Sequence, residues 1–327
     1  MTESIETQAP QAAGDGDGGA APRRLSAWAW LGIGAASAVV GLLPWLVTGM
    51  RLPIQNLWNT DPLAAPAPLV LLPFSQYEIT LIAALVVVGA AAAGIVARAT
   101  RARQGRRSVV AILCGVLAVQ LFALAQTATV VASGLQNRVE SALYLVVIVV
   151  GIVLAIAVGA LVLWLVARAP RAGALVGMSL VSVLVAPWLS GFISPINAIP
   201  GTGLAGVTWL VDLVRFVPAI LVGAAIAWCG IGRIGRVIAA VVALLLLWTG
   251  PALLTGASAA VGSRVLGPRP ADMVDFASRV IVLALTTPSV ALPPILVAVA
   301  VAAIGLVVRR EARRRRALAD DRAATVR

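Results

Sequence analysis

The chain has 327 residues and a formal net charge of +12, and 61% of its residues are hydrophobic while only 12% are charged. Soluble domains carry about 25% charged residues, so this composition excludes a soluble globular protein and indicates a membrane protein. The sequence contains no histidine, which excludes a histidine-based catalytic triad and a histidine-ligated metal.

Apolar blocks of about 20 residues, the length that crosses a hydrocarbon core, follow one another along the chain. They predict an all-α fold, a polytopic membrane helical bundle with eight transmembrane helices. The predicted spans are 28–49, 78–97, 108–133, 141–167, 174–191, 211–231, 237–256 and 287–308. Residues 1–27 are predicted to be a disordered cytoplasmic N-terminus. Residues 28–308 form the eight-span transmembrane domain, and 309–327 a basic cytoplasmic tail.

The arginines predict the orientation of the bundle. All 25 basic residues are arginine, and if the first span runs outward, 19 of them fall on the side of the two termini and 6 on the other. Because arginine-rich loops remain in the cytoplasm, we expect both termini to be cytoplasmic. Basic residues that are arginine only, with abundant Ala, Gly and Pro, indicate a GC-rich bacterial genome. We therefore expect a multi-pass protein of the bacterial plasma (inner) membrane.

Repeated sequences at the span ends suggest four successive helical hairpins. The first and fifth spans share a Pro-Trp-Leu sequence at 44–46 and 187–189, and outward spans are predicted to end at a hydroxyl residue followed by Gly, as in Thr48-Gly49. Inward spans end in Arg-x-x-Arg, as in Arg98 and Arg101. Glycine and arginine both suit helix C-termini. Internal duplication and independent selection of helix-ending residues both remain open.

Polar side chains are rare inside the spans, and none near the middle of a span is charged. The deepest amides, Gln120 and Gln126, lie on the third span. They serve either as hydrogen-bonding residues between helices or as the lining of a cavity.

Asp212 and Arg215 are the strongest candidates for a polar site. Their i,i+3 spacing places both on one face of the sixth span, near its outer end. The two open interpretations are a mutual structural ion pair and a site that faces a substrate or a partner.

Two outer segments could carry recognition. The first loop has a polar beginning, in which the candidate residues are Arg51, Gln55, Asn56, Trp58 and Asp61. Its apolar second half is expected to lie on the membrane or to dip into it. The last loop predicts an amphipathic helix with an Asp275–Arg279 pair.

The basic tail predicts a lipid partner. We expect it to anchor on anionic lipid headgroups at the cytoplasmic face, through Arg309, Arg310, Arg313, Arg314, Arg315 and Arg316. The same segment could in principle follow a phosphate backbone, but its position directly after a span favours lipid, so no nucleic-acid partner is expected. Protein partners in the membrane are possible.

The sequence indicates the function of the protein less clearly than its fold or orientation. A transporter or permease-like membrane subunit fits the bundle and its possible repeat, although a charge in mid-membrane is missing. The alternative is a non-catalytic scaffold or accessory protein of an envelope complex, and a lipid-modifying enzyme is a weaker third. No catalytic residue, metal site or cofactor is predicted.

Overall fold

The computed structural model describes residues 25–52, 67–105, 107–197, 208–263 and 269–325. These residues form nine α-helices and no named strand. The helices are α1 (Ala27–Val47), α2 (Ile79–Ala99), α3 (Ser108–Gly134), α4 (Val139–Arg168), α5 (Arg171–Asn197), α6 (Thr208–Cys229), α7 (Ile234–Gly262), α8 (Pro270–Thr286) and α9 (Pro288–Thr325). All but α8 include a stretch long and apolar enough to cross a membrane. The predicted all-helical, eight-span fold is confirmed, and it is consistent with a multi-pass membrane protein.

The bundle has two different ends. We call the end that carries Arg98, Arg168 and Arg309 the arginine end, and the opposite end, where Trp45 and Arg215 lie, the loop end. At the loop end α8 packs against α7, since a Cβ on Gly256 would collide with Ile281. The predicted Asp275–Arg279 ion pair forms on α8 with a separation of 3.5 Å, and both side chains are exposed.

The eight spans assemble as two groups of four. In the first half (α1–α4), α1 packs on α2 and α3, and α2 packs most extensively on α4. In the second half (α5, α6, α7 and α9), α5 packs on α6 and α7, and α6 packs most extensively on α9. Of the four predicted hairpins, α1–α2 and α5–α6 pack extensively, whereas α3–α4 and α7–α9 pack more weakly. The same neighbour pattern occurs in both halves, as an internal duplication would produce. The halves meet mainly where α5 packs on α2 and α4.

Glycines bring the helices of each half into backbone contact. A Cβ on Gly34 of α1 would collide with the Ile112 carbonyl, and one on Gly115 of α3 would collide with the Leu31 carbonyl. In the second half, a Cβ on Gly223 would lie 2.5 Å from the Ala298 carbonyl oxygen. Membrane helices associate through such small residues because lipid provides no hydrophobic driving force between them.

The predicted helix ends are correct for α1 and α3 and wrong for α5 and α7. Gly49 follows α1 with a φ of +97°, where glycine is favoured. The Ser-Gly pair at 190–191 and the Thr-Gly pair at 255–256 instead lie inside their helices. A Cβ on Gly191 would lie 2.9 Å from Leu81 and 3.0 Å from Pro44. This glycine permits close packing between helices. A glycine can serve that purpose inside a helix as readily as it can cap a helix end.

Two arginines at the arginine end, Arg98 and Arg309, cap neighbouring helices rather than their own. Arg98 of α2 donates to the carbonyls of Val166 and Ala169 at the end of α4, at 2.6 and 3.2 Å. Arg309 of α9 donates to the Ala227 carbonyl at the end of α6, at 2.9 Å. Carbonyls without an intrahelical donor are thereby satisfied between helices. The predicted basic tail is helical and continuous with the last span through Thr325.

Candidate functional site

Gln120 is a buried residue of α3 and links two helices. Its Nε2 donates to the Val86 carbonyl of α2 at 2.8 Å, and only 3% of the residue is exposed. Its Oε1 is buried and has no hydrogen-bond partner among the described residues. Gln120 lines neither of the two cavities described below, which agrees with hydrogen bonding between helices.

Gln126, also on α3, binds the chain that precedes α2. Its Oε1 accepts from the Leu71 amide and its Nε2 donates to the Leu69 carbonyl, both at 3.0 Å. The neighbouring Thr127 hydroxyl accepts from the Leu72 amide at 3.1 Å. These three bonds on the segment before α2 add to the backbone hydrogen bonds that join Pro68 to Leu52 and Val70 to Met50.

This segment, residues 67–75, inserts between the loop ends of α1–α4, and we call it the inserted segment. Val70, Leu72 and Phe74 are at most 1% exposed. The indole of Trp45 adds a hydrogen bond to the Val70 carbonyl at 2.8 Å. The apolar second half of the first loop was expected to lie on the membrane or to dip into it, whereas the described part of it is buried among the helices.

Arg51 binds the beginning of the inserted segment. Its guanidinium donates to the Ala67 carbonyl at 2.7 Å, and its backbone pairs in antiparallel fashion with Leu69. Arg51 was predicted as a recognition residue, and in the structure it is exposed and one of its nitrogens makes this bond. The other recognition candidates of this loop lie outside the described residues, namely Gln55, Asn56, Trp58 and Asp61.

A cavity of about 480 Å³ occupies the loop end of the second half. Its walls come from α5, α6, α7 and α9, with single residues from α2 and α8. Arg215 is the one charged residue among the lining residues, and the hydroxyl residues are Thr80, Ser190, Thr255 and Ser258. Leu247, Trp248 and Val183 contribute apolar wall. Drug-sized ligands bind in cavities of about 300–1,000 Å³ with this mixture of apolar walls and few polar groups.

Each of the four helices around this cavity contains a lining proline: Pro187, Pro218, Pro251 and Pro294. A proline removes the donor for the carbonyl four residues earlier. Those four earlier residues also line the cavity: Val183, Val214, Leu247 and Val290. The cavity is therefore surrounded by helices that stay continuous but in each of which the lining proline removes one backbone donor.

Arg215 does not pair with Asp212, contrary to the structural interpretation of these two residues. Its Nη2 donates instead to the carbonyls of Ser289 and Val290, at 3.1 and 3.3 Å. These are the carbonyls that Pro293 and Pro294 leave without an intrahelical donor. Asp212 is exposed and does not line the cavity. Arg215 thus crosses from α6 to α9 because the proline pair of α9 creates the acceptors.

The two halves use corresponding spaces differently. In the first half, the space between the four loop ends is filled by the inserted segment, which packs against Leu42, Ile82 and Leu124. In the second half, the space between the corresponding helices is the Arg215 cavity. A space that holds an extended apolar chain in one half thus has an open counterpart in the other.

Glu78, directly before α2, is expected to make stability depend on pH. Burial raises the pKa of the Glu78 carboxyl. A raised pKa in the folded state means that the stability is greatest at low pH and is lost as pH rises from the ordinary pKa through the raised one. In thermal unfolding, the melting temperature of Glu78→Gln should change less from mildly acidic to neutral pH than that of the wild type. The control is Glu140→Gln, which removes an exposed carboxyl. If the melting temperatures of Glu78→Gln and of the wild type changed equally with pH, the prediction would be contradicted.

Among the described residues, no group of three or more acidic or cysteine side chains is arranged to hold a metal ion. Cys114 is exposed and Cys229 is buried, and both are free thiols. Comparison of the chain with protein-family models, with curated proteins and with solved structures gave no match.

Proposed function

We propose that this protein is a permease-like membrane protein whose substrate-binding site is the Arg215 cavity. The substrate class is a small amphiphile that carries one anionic group, hydrogen-bond donors and an apolar part. Arg215 would bind the anionic group, and the carbonyls of Val183, Val214 and Leu247, which lose their intrahelical donor to proline, would accept from the donors. Trp248 would contact the apolar part.

One observation carries the proposal, namely that prolines of four helices surround a single cavity. A backbone carbonyl left without its intrahelical donor is costly in lipid because it is not hydrated there, so it persists where it borders a cavity or other protein. In this protein these four prolines line the same cavity as Arg215.

The arginine distribution supports the direction of access. If the arginine end is cytoplasmic, as the positive-inside rule predicts, the cavity opens toward the outer leaflet of a bacterial plasma membrane. The substrate would then enter from outside or from the outer leaflet. The packing between halves through α5, including a Trp188–Gly41 hydrogen bond of 2.7 Å, gives the second half a fixed partner against which to move.

The scaffold alternative draws its support from the first half. Its helices meet at backbone distance, and its loop end is filled by the inserted segment. A scaffold needs such rigidity and no ligand. The two functions therefore differ in whether the Arg215 cavity binds a small molecule.

Binding of N-octanoylglycine to the purified protein, measured by calorimetry, tests the proposal. This probe has a carboxylate, an amide donor and an apolar chain, and its methyl ester keeps the last two but carries no charge. We expect saturable binding of the acid and about 10- to 100-fold weaker binding to Arg215→Gln, the loss typical of one charged hydrogen-bonding partner. Arg279→Gln, which removes an exposed loop-end arginine paired with Asp275, is the matched control. Equal affinity for acid and ester, or equal loss in both variants, would contradict the proposal.

A further inference from the structure

A second cavity lies at the arginine end, at the opposite end of the bundle from the Arg215 cavity. It is a crevice of about 420 Å³ between the turn joining α6 to α7 and the end of the apolar part of α9. Four arginines line it: Arg236 from α7, and Arg309, Arg310 and Arg313 from α9. The remaining lining residues are Gly230, Ile231, Gly232, Leu306 and Val307. We call it the basic crevice.

The floor of the basic crevice is fixed by one of its own arginines. Arg309 donates through Nη1 to the carbonyls of Ala227 and Trp228. Gly230 follows with a φ of +75°, in the region that favours glycine, and the turn therefore passes close to the Arg309 guanidinium. Because Nη1 makes these bonds, Nε and Nη2 of Arg309 remain as donors.

The charge in the crevice is not neutralised by the described part of the protein. None of its four arginines forms an ion pair with a described carboxylate, and the nearby Glu311 is paired with Arg315 at 3.3 Å. Arg171 at the start of α5 adds a further positive charge that acts on Arg309. Like charges gathered at a partly dry surface repel one another, and a bound anion removes the repulsion and forms charge-assisted hydrogen bonds.

The rim of the crevice is apolar and exposed. Ile231 is 53% exposed and Val307 is 68% exposed, and the neighbouring Ile304 and Val308 on α9 are more than 60% exposed. A free phosphate ion would gain nothing from this surface. A phospholipid would place its phosphate among the arginines and its acyl chains along α9.

We propose that the basic crevice is a binding site for the phosphate headgroup of an anionic phospholipid in the leaflet at the arginine end. The proposal distinguishes a specific site from diffuse attraction to a basic tail. Arg310 and Arg313 line the site, whereas Arg314 and Arg316, which are exposed on the same helix, do not. The site is independent of the function proposed for the Arg215 cavity.

The test compares two double variants that remove the same charge. Arg310→Gln/Arg313→Gln removes two lining residues, and Arg314→Gln/Arg316→Gln removes two from outside the crevice. Native mass spectrometry of the full chain in mild detergent, titrated with dioleoylphosphatidylglycerol or dioleoylphosphatidylcholine, measures lipid retention. We expect the wild type to retain phosphatidylglycerol preferentially. Affinity should fall about 10- to 30-fold in the first variant and about twofold or less in the second.

Three outcomes would overturn the proposal. Equal loss in the two double variants would indicate diffuse electrostatics, and equal retention of the two lipids would show that the phosphate site does not select an anionic headgroup. Full displacement of phosphatidylglycerol by inorganic phosphate at the same concentration would identify a free-phosphate site instead. Thermal unfolding of both double variants without added lipid controls for misfolding, because neither pair takes part in the helix-capping bonds of Arg309.

Discussion

Replacement of Gly115 by alanine is expected to destabilise the first half severely, although alanine is the better helix former. In the middle of a helix, alanine is favoured over glycine by up to about 1 kcal/mol. At position 115 the added Cβ would collide with the Leu31 carbonyl and would lie 2.9 Å from the Ala35 amide nitrogen. Both are backbone atoms, so α1 and α3 must separate, and contacts along their whole interface weaken. Overpacking commonly costs about 1–3 kcal/mol, and a collision of two backbones should exceed the middle of that range.

The control for this substitution is Gly151→Ala on α4. Gly151 is also inside a membrane-spanning helix, but a Cβ there would have no neighbour within 4 Å. We expect Gly151→Ala to be neutral or slightly stabilising in thermal unfolding of the detergent-solubilised protein, and Gly115→Ala to lower the melting temperature markedly or to prevent purification of monodisperse protein. Similar melting temperatures for both variants would show that the α1–α3 contact is looser than described.

Replacement of Gln126 by leucine is expected to release the inserted segment. The leucine cannot accept from the Leu71 amide or donate to the Leu69 carbonyl, so the two hydrogen bonds at 3.0 Å are lost. A buried backbone group left unpaired costs about 1–3 kcal/mol, but only the Leu71 bond is part-buried and the Leu69 bond is exposed. The total loss should therefore be about 1–3 kcal/mol, and the segment should leave its place between the helices for part of the time.

Cysteine labelling can detect that release. In a background with Cys114 and Cys229 replaced by alanine, a Leu72→Cys residue should be protected from maleimide, because Leu72 is 1% exposed. Adding Gln126→Leu should make the thiol react at least several times faster. Thr129→Val, which alters an exposed hydroxyl that bonds only within α3, should leave the rate unchanged. Unchanged labelling with Gln126→Leu would mean that burial alone holds the segment.

The sequence predicted the number and position of the spans because an apolar block of about 20 residues forms a helix that crosses the bilayer. Most helix ends fall within a few residues of the predicted ones. The exceptions were α5 and α7, which continue beyond their predicted glycine ends, and α9, which continues through the predicted tail. A helical glycine can serve either as a cap or as a packing surface, and only the neighbouring helix decides between them.

The candidate site was predicted in part. Arg215 was selected because its charge lies at the edge of a span, and it does line the cavity. Its partner was not predictable from i,i+3 spacing, because the acceptors at Ser289 and Val290 are created by prolines more than 70 residues away. The prolines themselves were visible in the sequence. Their convergence on one cavity depends on helix packing, which the sequence pattern of single spans does not contain.

The emission of Trp248 is the most direct test of whether the Arg215 cavity binds a small anionic amphiphile, because this indole lines it. Titration of the wild type with N-octanoylglycine should give a saturable change in tryptophan fluorescence. That change should be lost in Trp248→Phe, which keeps the other eight of the nine tryptophans, and should require much more ligand in Arg215→Gln. A saturable change of undiminished size in Trp248→Phe, or the absence of any saturable change in the wild type, would contradict the proposed binding site.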